Sequence, residues 1–241
     1  HSFNSIRSIS IMSIKKENFI AVADGQLVKI NLKDQQNPSF TRFELSNEQK
    51  SQLNMSSDLI GVISHPTYDL FICLLQNSAI LFDYNEKSMK LSSKMQISPS
   101  PSKITCAAFS PNSAKLAICS TVLDIFAFDL SKSEMLPTIS RRMKGQITAV
   151  AWINSETSLA VSYTSTSGGL GSVSTSSLVV INTLMKFAQP IEVKKEWGIV
   201  TAIWPNIRKG RLVFGTKNGY LIINDINKNS EKHWIQPEDI L

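Results

Sequence analysis

Catalysis and metal binding need reactive side chains brought close together, and this 241-residue chain supplies few. Its histidines are His1, His65 and His233, far apart and outside any metal-ligand spacing, so no zinc site is expected. Cys73, Cys106 and Cys119 each fall in an apolar run. Three thiols without paired spacing read as buried small hydrophobes in a reducing compartment, not as a disulfide framework. No Ser/His/Asp or Cys/His set is spaced for nucleophilic catalysis. Asp83, Asp129 and Asp225 recur at one repeated position, which a structural hydrogen bond explains better than an active site. The Gly/Ser/Thr tract from Ser165 to Ser176 contains no Gly-Lys-Ser/Thr and leads into no helix, so it is not a phosphate-binding loop. The expectation is a protein that is not an enzyme and carries no cofactor.

Recognition chemistry is better represented. Arg141, Arg142 and Lys144 form one basic cluster, read as a loop between repeats. Arg208, Lys209 and Arg211 fall in a hairpin near the end of the chain, and Lys194 with Lys195 add to a basic rim. Such cations suit phosphate, from RNA, a phospholipid or a phosphorylated partner, and they also suit acidic proteins. The plainer alternative is a set of solvated surface charges. Of the four tryptophans, Trp152 and Trp204 occupy first-strand positions where core packing is expected. Trp197 and Trp234 lie at strand ends or loops and are the candidate partner-binding anchors. Ser98-Pro-Ser-Pro101 offers two Ser-Pro steps, at Ser98 and Ser100, where phosphorylation would add negative charge; an extended turn fixed by proline is the alternative.

The elements that must position these groups are short strands. Five apolar first strands begin near Ile6, Leu59, Ile104, Ile147 and Val200. Thr105 and Thr148 are 43 residues apart, and Thr148 and Thr201 are 53 apart, the longer interval containing the Ser165 to Ser176 tract, read as an inserted loop. Each first strand is followed by a second and a third, such as Asn18 to Ala23 and Gln26 to Leu32, and by a more polar fourth, such as Lys90 to Ile97. Asp24-Gly25, Asn77-Ser78 and Asn218-Gly219 read as tight turns between second and third strands. Helical periodicity is nearly absent; Asn47 to Asn54 is polar and short and reads as a linker. Net charge is +6, a modest excess that permits RNA or acidic partners without demanding them. No run approaches the roughly 18 apolar residues of a membrane-spanning helix. No signal-peptide pattern is present, and a chain opening on His1 reads as a fragment or as carrying a tag remnant.

Thr105 to Pro111 and Thr148 to Asn154 resemble the first-strand pattern of WD40-repeat β-propellers, and Phe82-Asp83, Phe128-Asp129 and Asn224-Asp225 stand where that family often has Trp-Asp. The Gly-His dipeptide of the family is missing from every repeat. The resemblance implies an all-β, WD40-like β-propeller with about five four-stranded blades in this chain, near residues 5–45, 58–97, 102–140, 145–194 and 198–234, within a single domain 1–241. It implies part of a larger ring of about seven blades, completed by missing segments or another subunit. Ser140-Arg141-Arg142-Met143 lacks both flanks of the Phe-Arg-Arg-Gly motif of phosphoinositide-binding propellers. The last two repeats, closing on Trp234, are similar to propellers of ribosome-biogenesis complexes and to those of actin-interacting WD proteins. The expected role is a non-catalytic scaffold for other protein subunits in a eukaryotic intracellular complex, nuclear or nucleolar rather than cytoplasmic. Direct RNA or phosphoinositide binding through the basic loops, or a cytoskeletal adaptor, are the alternatives.

Overall fold

Apolar runs of four to seven residues broken by turns every few residues leave the chain little choice but strands. The computed structural model describes residues 6–12, 18–23, 26–33, 39–43, 45–53, 59–85, 90–97, 102–129, 134–153, 157–166, 174–184, 187–206, 210–226 and 230–235. The first sheet holds β1 (Ile6–Met12), β2 (Asn18–Ala23), β3 (Gln26–Asn31) and β4 (Ser39–Arg42). A helix, α1 (Asn47–Leu53), leads to β5 (Leu59–Ser64), β6 (Leu70–Leu75), β7 (Ala79–Asn85) and β8 (Lys90–Ile97). The third sheet holds β9 (Cys106–Phe109), β10 (Lys115–Cys119), β11 (Val122–Asp129) and β12 (Glu134–Arg142). The fourth holds β13 (Gln146–Trp152), β14 (Ser158–Thr166), β15 (Ser174–Asn182) and β16 (Phe187–Ile191). A 3-10 turn, Lys195–Trp197, precedes β17 (Val200–Asn206), β18 (Arg211–Thr216), β19 (Leu221–Asp225) and β20 (Ser230–Ile235). Strands within each of the five sheets are neighbours in chain order.

The first strands of four sheets, the third excepted, each carry one irregularity near their start. The ladder shifts between Ile6 and Ser8, Leu59 and Gly61, Ile147 and Ala149, and Val200 and Ala202. The residue skipped in the last two is the recurrent threonine of the repeat. Thr148 Oγ1 lies 3.4 Å from the Ser162 carbonyl, and Thr201 Oγ1 donates to that of Gly215 at 3.5 Å. In the third sheet Thr105 does the same just ahead of β9, donating from N and Oγ1 to the Cys119 carbonyl at 2.8 and 3.2 Å. A β-bulge leaves a residue out of the ladder, and a hydroxyl at that place restores a bond across the strands.

The chain forms two compact units, His1–Ile104 with Ala127–Leu136, and Thr105–Phe126 with Pro137–Leu241. In the first unit β6 is buried along its whole length, and Ile20, Val22 and Leu27 of the first sheet join Phe71, Cys73, Ile80 and Phe82 of the second in one cluster. Ala21, Ala23, Val28 and Ile30 are buried on the other face of the first sheet. Strands covered on both faces read as continuous apolar runs, which is how β2 and β6 read in the sequence. A buried lysine crosses this core: Lys29 Nζ donates to the Tyr84 hydroxyl at 3.0 Å.

In the second unit β13 joins its neighbours at both ends. Thr148 Oγ1 donates to the Val200 carbonyl at 2.7 Å, and Trp152 Nε1 donates to the Ala108 carbonyl at 3.0 Å. The first strands of the third, fourth and fifth sheets therefore run parallel and in step. Ala149, Ala151, Ala160 and Leu178 pack toward the fifth sheet, while Ile147, Trp152, Leu159 and Val161 pack toward the third.

Several expectations are corrected. Residues 47–53 are a helix, not a linker. Ser46 N donates to Gln49 Oε1 at 2.9 Å and Gln49 N to Ser46 Oγ at 3.2 Å, a reciprocal capping box that satisfies donors at the helix start. The two ends of the Ser165 to Ser176 tract are ladder rather than loop, with Ser165 opposite Thr175 and Thr166 opposite Ser174. The turn expected at Asn77-Ser78 falls one residue earlier, because Leu75 N bonds the Ser78 carbonyl and leaves Gln76-Asn77 between. The turn at Asn218-Gly219 spans three residues, Lys217 to Gly219, with Gly219 at φ 87°. Asp24-Gly25 and Ser98 to Pro101 lie outside the described residues.

Candidate functional site

Because the first strands of the second unit run in step, the connections that enter them emerge at one end, together with the turns joining second to third strands. Arg141 and Arg142 are not in a loop: they are the last residues of β12, and Lys144 follows in the short link to β13. That link is held by Met143 N donating to the Thr121 carbonyl at 3.0 Å. Lys194 and Lys195 enter at the same end through the 3-10 turn before β17. The turn is fastened to the β18–β19 turn by Lys217 N donating to the Ile199 carbonyl at 2.7 Å and Asn218 Nδ2 to that of Glu196 at 3.0 Å. Arg142, Lys144, Lys195 and Lys217 are exposed, against the exposed carboxylates Glu192 and Glu196. Lys217 was not among the residues the sequence singled out; its place in the turn Lys217-Asn218-Gly219 is the signal that puts it at this end.

The structure separates the remaining candidates from this group. Arg211 opens β18 opposite Asn206 and Asp225, at the other end of the fifth sheet, and Arg208 and Lys209 lie outside the described residues. Trp234 sits in β20 opposite Ile222, and its side chain is outside what is described. Trp197 is corrected outright as a surface anchor. It is 2 % exposed, joins the cluster of Leu178, Val200 and Leu212, and lies 6.2 Å centroid to centroid from Phe214. Lys194 Nζ stands 5.1 Å above its ring, so that cation is engaged in a cation–π contact. Trp204, expected in the core, is 54 % exposed.

The groups that could have done chemistry are built into structure. His65 is buried, and its Nδ1 accepts from the backbone N–H groups of Thr67 and Tyr68 at 3.3 and 3.2 Å, so a neutral ring carries its proton on Nε2. Ser110 has the same task in the next repeat, its Oγ accepting from Lys115 N at 2.9 Å. Burial pushes the Cys73 thiol up, and burial, then the neighbouring Cys106 thiol and Asp124 carboxylate, push the Cys119 thiol up. Both are therefore held as thiols rather than as nucleophilic thiolates. Asp83 forms an ion pair with Lys94 at 3.4 Å with both side chains well exposed, whereas Asp225 is buried, so the recurrent aspartates do not share one role. The Asp129 side chain is outside what is described. Among the described residues no three His, Cys, Asp or Glu are grouped to hold a metal, and no helix is long and apolar enough to cross a membrane.

No protein-family model matches the sequence, and no curated protein matches it. Solved structures match its fold. Sqt1 from Chaetomium thermophilum, crystallised with the N-terminus of the ribosomal protein L10, superposes on 97% of the chain with a TM-score of 0.65 at 12% identity. Hydrazine synthase from Kuenenia stuttgartiensis superposes on 93% with a TM-score of 0.70 at 11% identity. The chain spans about three fifths of these proteins, 62% and 65% of their lengths. The likeness shows the fold, a β-propeller whose blades the five four-stranded sheets match. One of these two neighbours is an enzyme and the other holds a segment of a second protein, so the fold alone assigns neither role.

Proposed function

We propose that the chain is a non-catalytic propeller scaffold that binds other protein subunits within a eukaryotic multi-subunit complex, in a nuclear or nucleolar ribonucleoprotein assembly such as those of ribosome biogenesis. The observation that carries the reading is the basic end of the second unit, where Arg142, Lys144, Lys195 and Lys217 stand exposed on rigid strand ends and tied turns. Such cations, fixed in place, are suited to acidic protein segments. That Sqt1, a propeller of similar fold, is crystallised with a ribosomal-protein segment supports protein recognition in a ribosomal setting. The test is affinity purification of the tagged chain from nuclear and cytosolic extracts, with mass spectrometry, repeated after nuclease and at raised salt. A stable set of nuclear proteins that survives nuclease, and is depleted for Arg142→Glu/Lys144→Glu/Lys195→Glu, is expected. Loss of every partner on nuclease treatment would replace the reading by direct RNA binding through the same cations. A cytosolic actin or vesicle set would overturn the nuclear placement.

A further inference from the structure

The connection leaving the first sheet and the one leaving the fourth start alike. Phe43-Glu44-Leu45 follows β4, and Ile191-Glu192-Val193 closes β16. Phe43 N donates to the Leu27 carbonyl at 3.2 Å, and Ile191 stands opposite Leu178; Leu27 and Leu178 each open a Leu-Val-x-Ile-Asn third-strand run. The two then part. After Val193 the 3-10 turn drops Trp197 into the cluster that holds Leu178. After Leu45 the capped helix α1, Asn-Glu-Gln-Lys-Ser-Gln-Leu, has no aromatic residue to offer, and a cavity of about 310 Å³ opens beside it. Gln26, Leu27, Arg42, Phe43, Leu45 and Lys50 line it, all within the first unit. Leu27 and Leu45 are buried, and Phe43 is braced edge-on against Tyr84 at 5.5 Å, so the floor is apolar and fixed. Arg42 and Lys50 are exposed.

We propose that this cavity receives one aromatic side chain of a partner peptide, flanked in the peptide by carboxylates. The aromatic residue takes the place that Trp197 fills from within the chain in the second unit. Its ring lies on the Leu27, Phe43 and Leu45 surface, as an interface anchor lies in a desolvated pocket. Lys50 and Arg42 meet the ring and the flanking carboxylates, as Lys194 meets the Trp197 ring. The volume is at the small end of the range for ligand sites and suits a single side chain rather than a cofactor. The proposal rests on the reading of the chain as a protein-binding scaffold, at a site of its own.

The test uses the full chain and a fluorescein-labelled peptide, Gly-Asp-Glu-Trp-Asp-Glu-Gly, followed by fluorescence anisotropy. Saturable binding is expected. Replacing the peptide's Trp by Ala should weaken it by at least about tenfold, and replacing its acids by amides should weaken it about threefold to tenfold. Arg42→Glu/Lys50→Glu, which leaves the floor untouched, should match the loss seen with the amide peptide while the melting temperature holds. Equal binding with and without the Trp, no saturation at millimolar protein, or indifference to Arg42→Glu/Lys50→Glu would overturn the inference. Loss of binding only in Arg142→Glu/Lys144→Glu/Lys195→Glu would also overturn it, since the peptide would then sit on the basic end, and the scaffold reading would stand.

Discussion

Trp197 and Trp204 are seven residues apart and have opposite fates. Trp197 leaves β16 through a short turn, the kind of place where an anchor for a partner is sought, yet it closes the core between the fourth and fifth sheets. Trp204 lies inside a strand, where core packing is sought, yet more than half of it is exposed. Position in a loop or a strand does not decide burial; the face onto which the backbone aims the side chain does. Gly198 makes the first case possible. Its backbone sits at φ 77° and ψ −151°, a region open almost only to glycine, and it turns the chain back so that Trp197 points inward. In the second case Ile203 and Val200 occupy the covered face of β17, and the strand's alternation sends Trp204 to the other.

Substitutions can break or sharpen this contrast. Trp197→Ala should cost about 3 to 5 kcal/mol, the loss of a large buried aromatic and the cavity it leaves, read as a lowered urea midpoint. Gly198→Ala comes next, at about 1 to 3 kcal/mol. Its Cβ would stand 2.9 Å from the Asn218 side chain as well as in a disfavoured conformation, so Asn218→Ala in the same background should recover only the steric part. Burial also has a pH signature. The Cys73 pKa is raised by burial, so above the ordinary thiol range the unfolded chain releases a proton that the folded chain keeps. Stability should then fall by about 1 kcal/mol per pH unit on this account. Urea titrations at pH 8 and pH 10 check it: the fall should be shallower in Cys73→Ala, and an identical fall would contradict the assignment. Trp204→Ala should change stability by less than about 0.5 kcal/mol. Trp204→Phe should reduce the acrylamide-quenchable, red-shifted part of the tryptophan emission.

Much of the architecture was legible. Lys90 to Ile97 and Asn18 to Ala23 read as strands at their observed ends, because an edge strand with polar alternation and a doubly covered apolar run leave distinct patterns. The helix 47–53 was missed although Ser46-Asn-Glu-Gln49 is a capping-box sequence, since a seven-residue helix with a polar surface shows no periodicity to find. The basic end was half legible: the clusters at 141–144 and 194–195 were visible as charge. That they share an end while Arg211 stands at the other follows from strand direction, which no local pattern carries.

The amino-acid sequence by itself determined the repeat, its strands and its recurrent threonines, because each depends on contacts within one repeat. Which face a side chain takes was decided by tertiary structure. Trp152 lies four residues after its bulge threonine and Trp204 three after its own. With a side-chain period of two, that single step puts them on opposite faces; Ala151, also three residues after its threonine, is covered by the fifth sheet, whereas Trp204 is exposed.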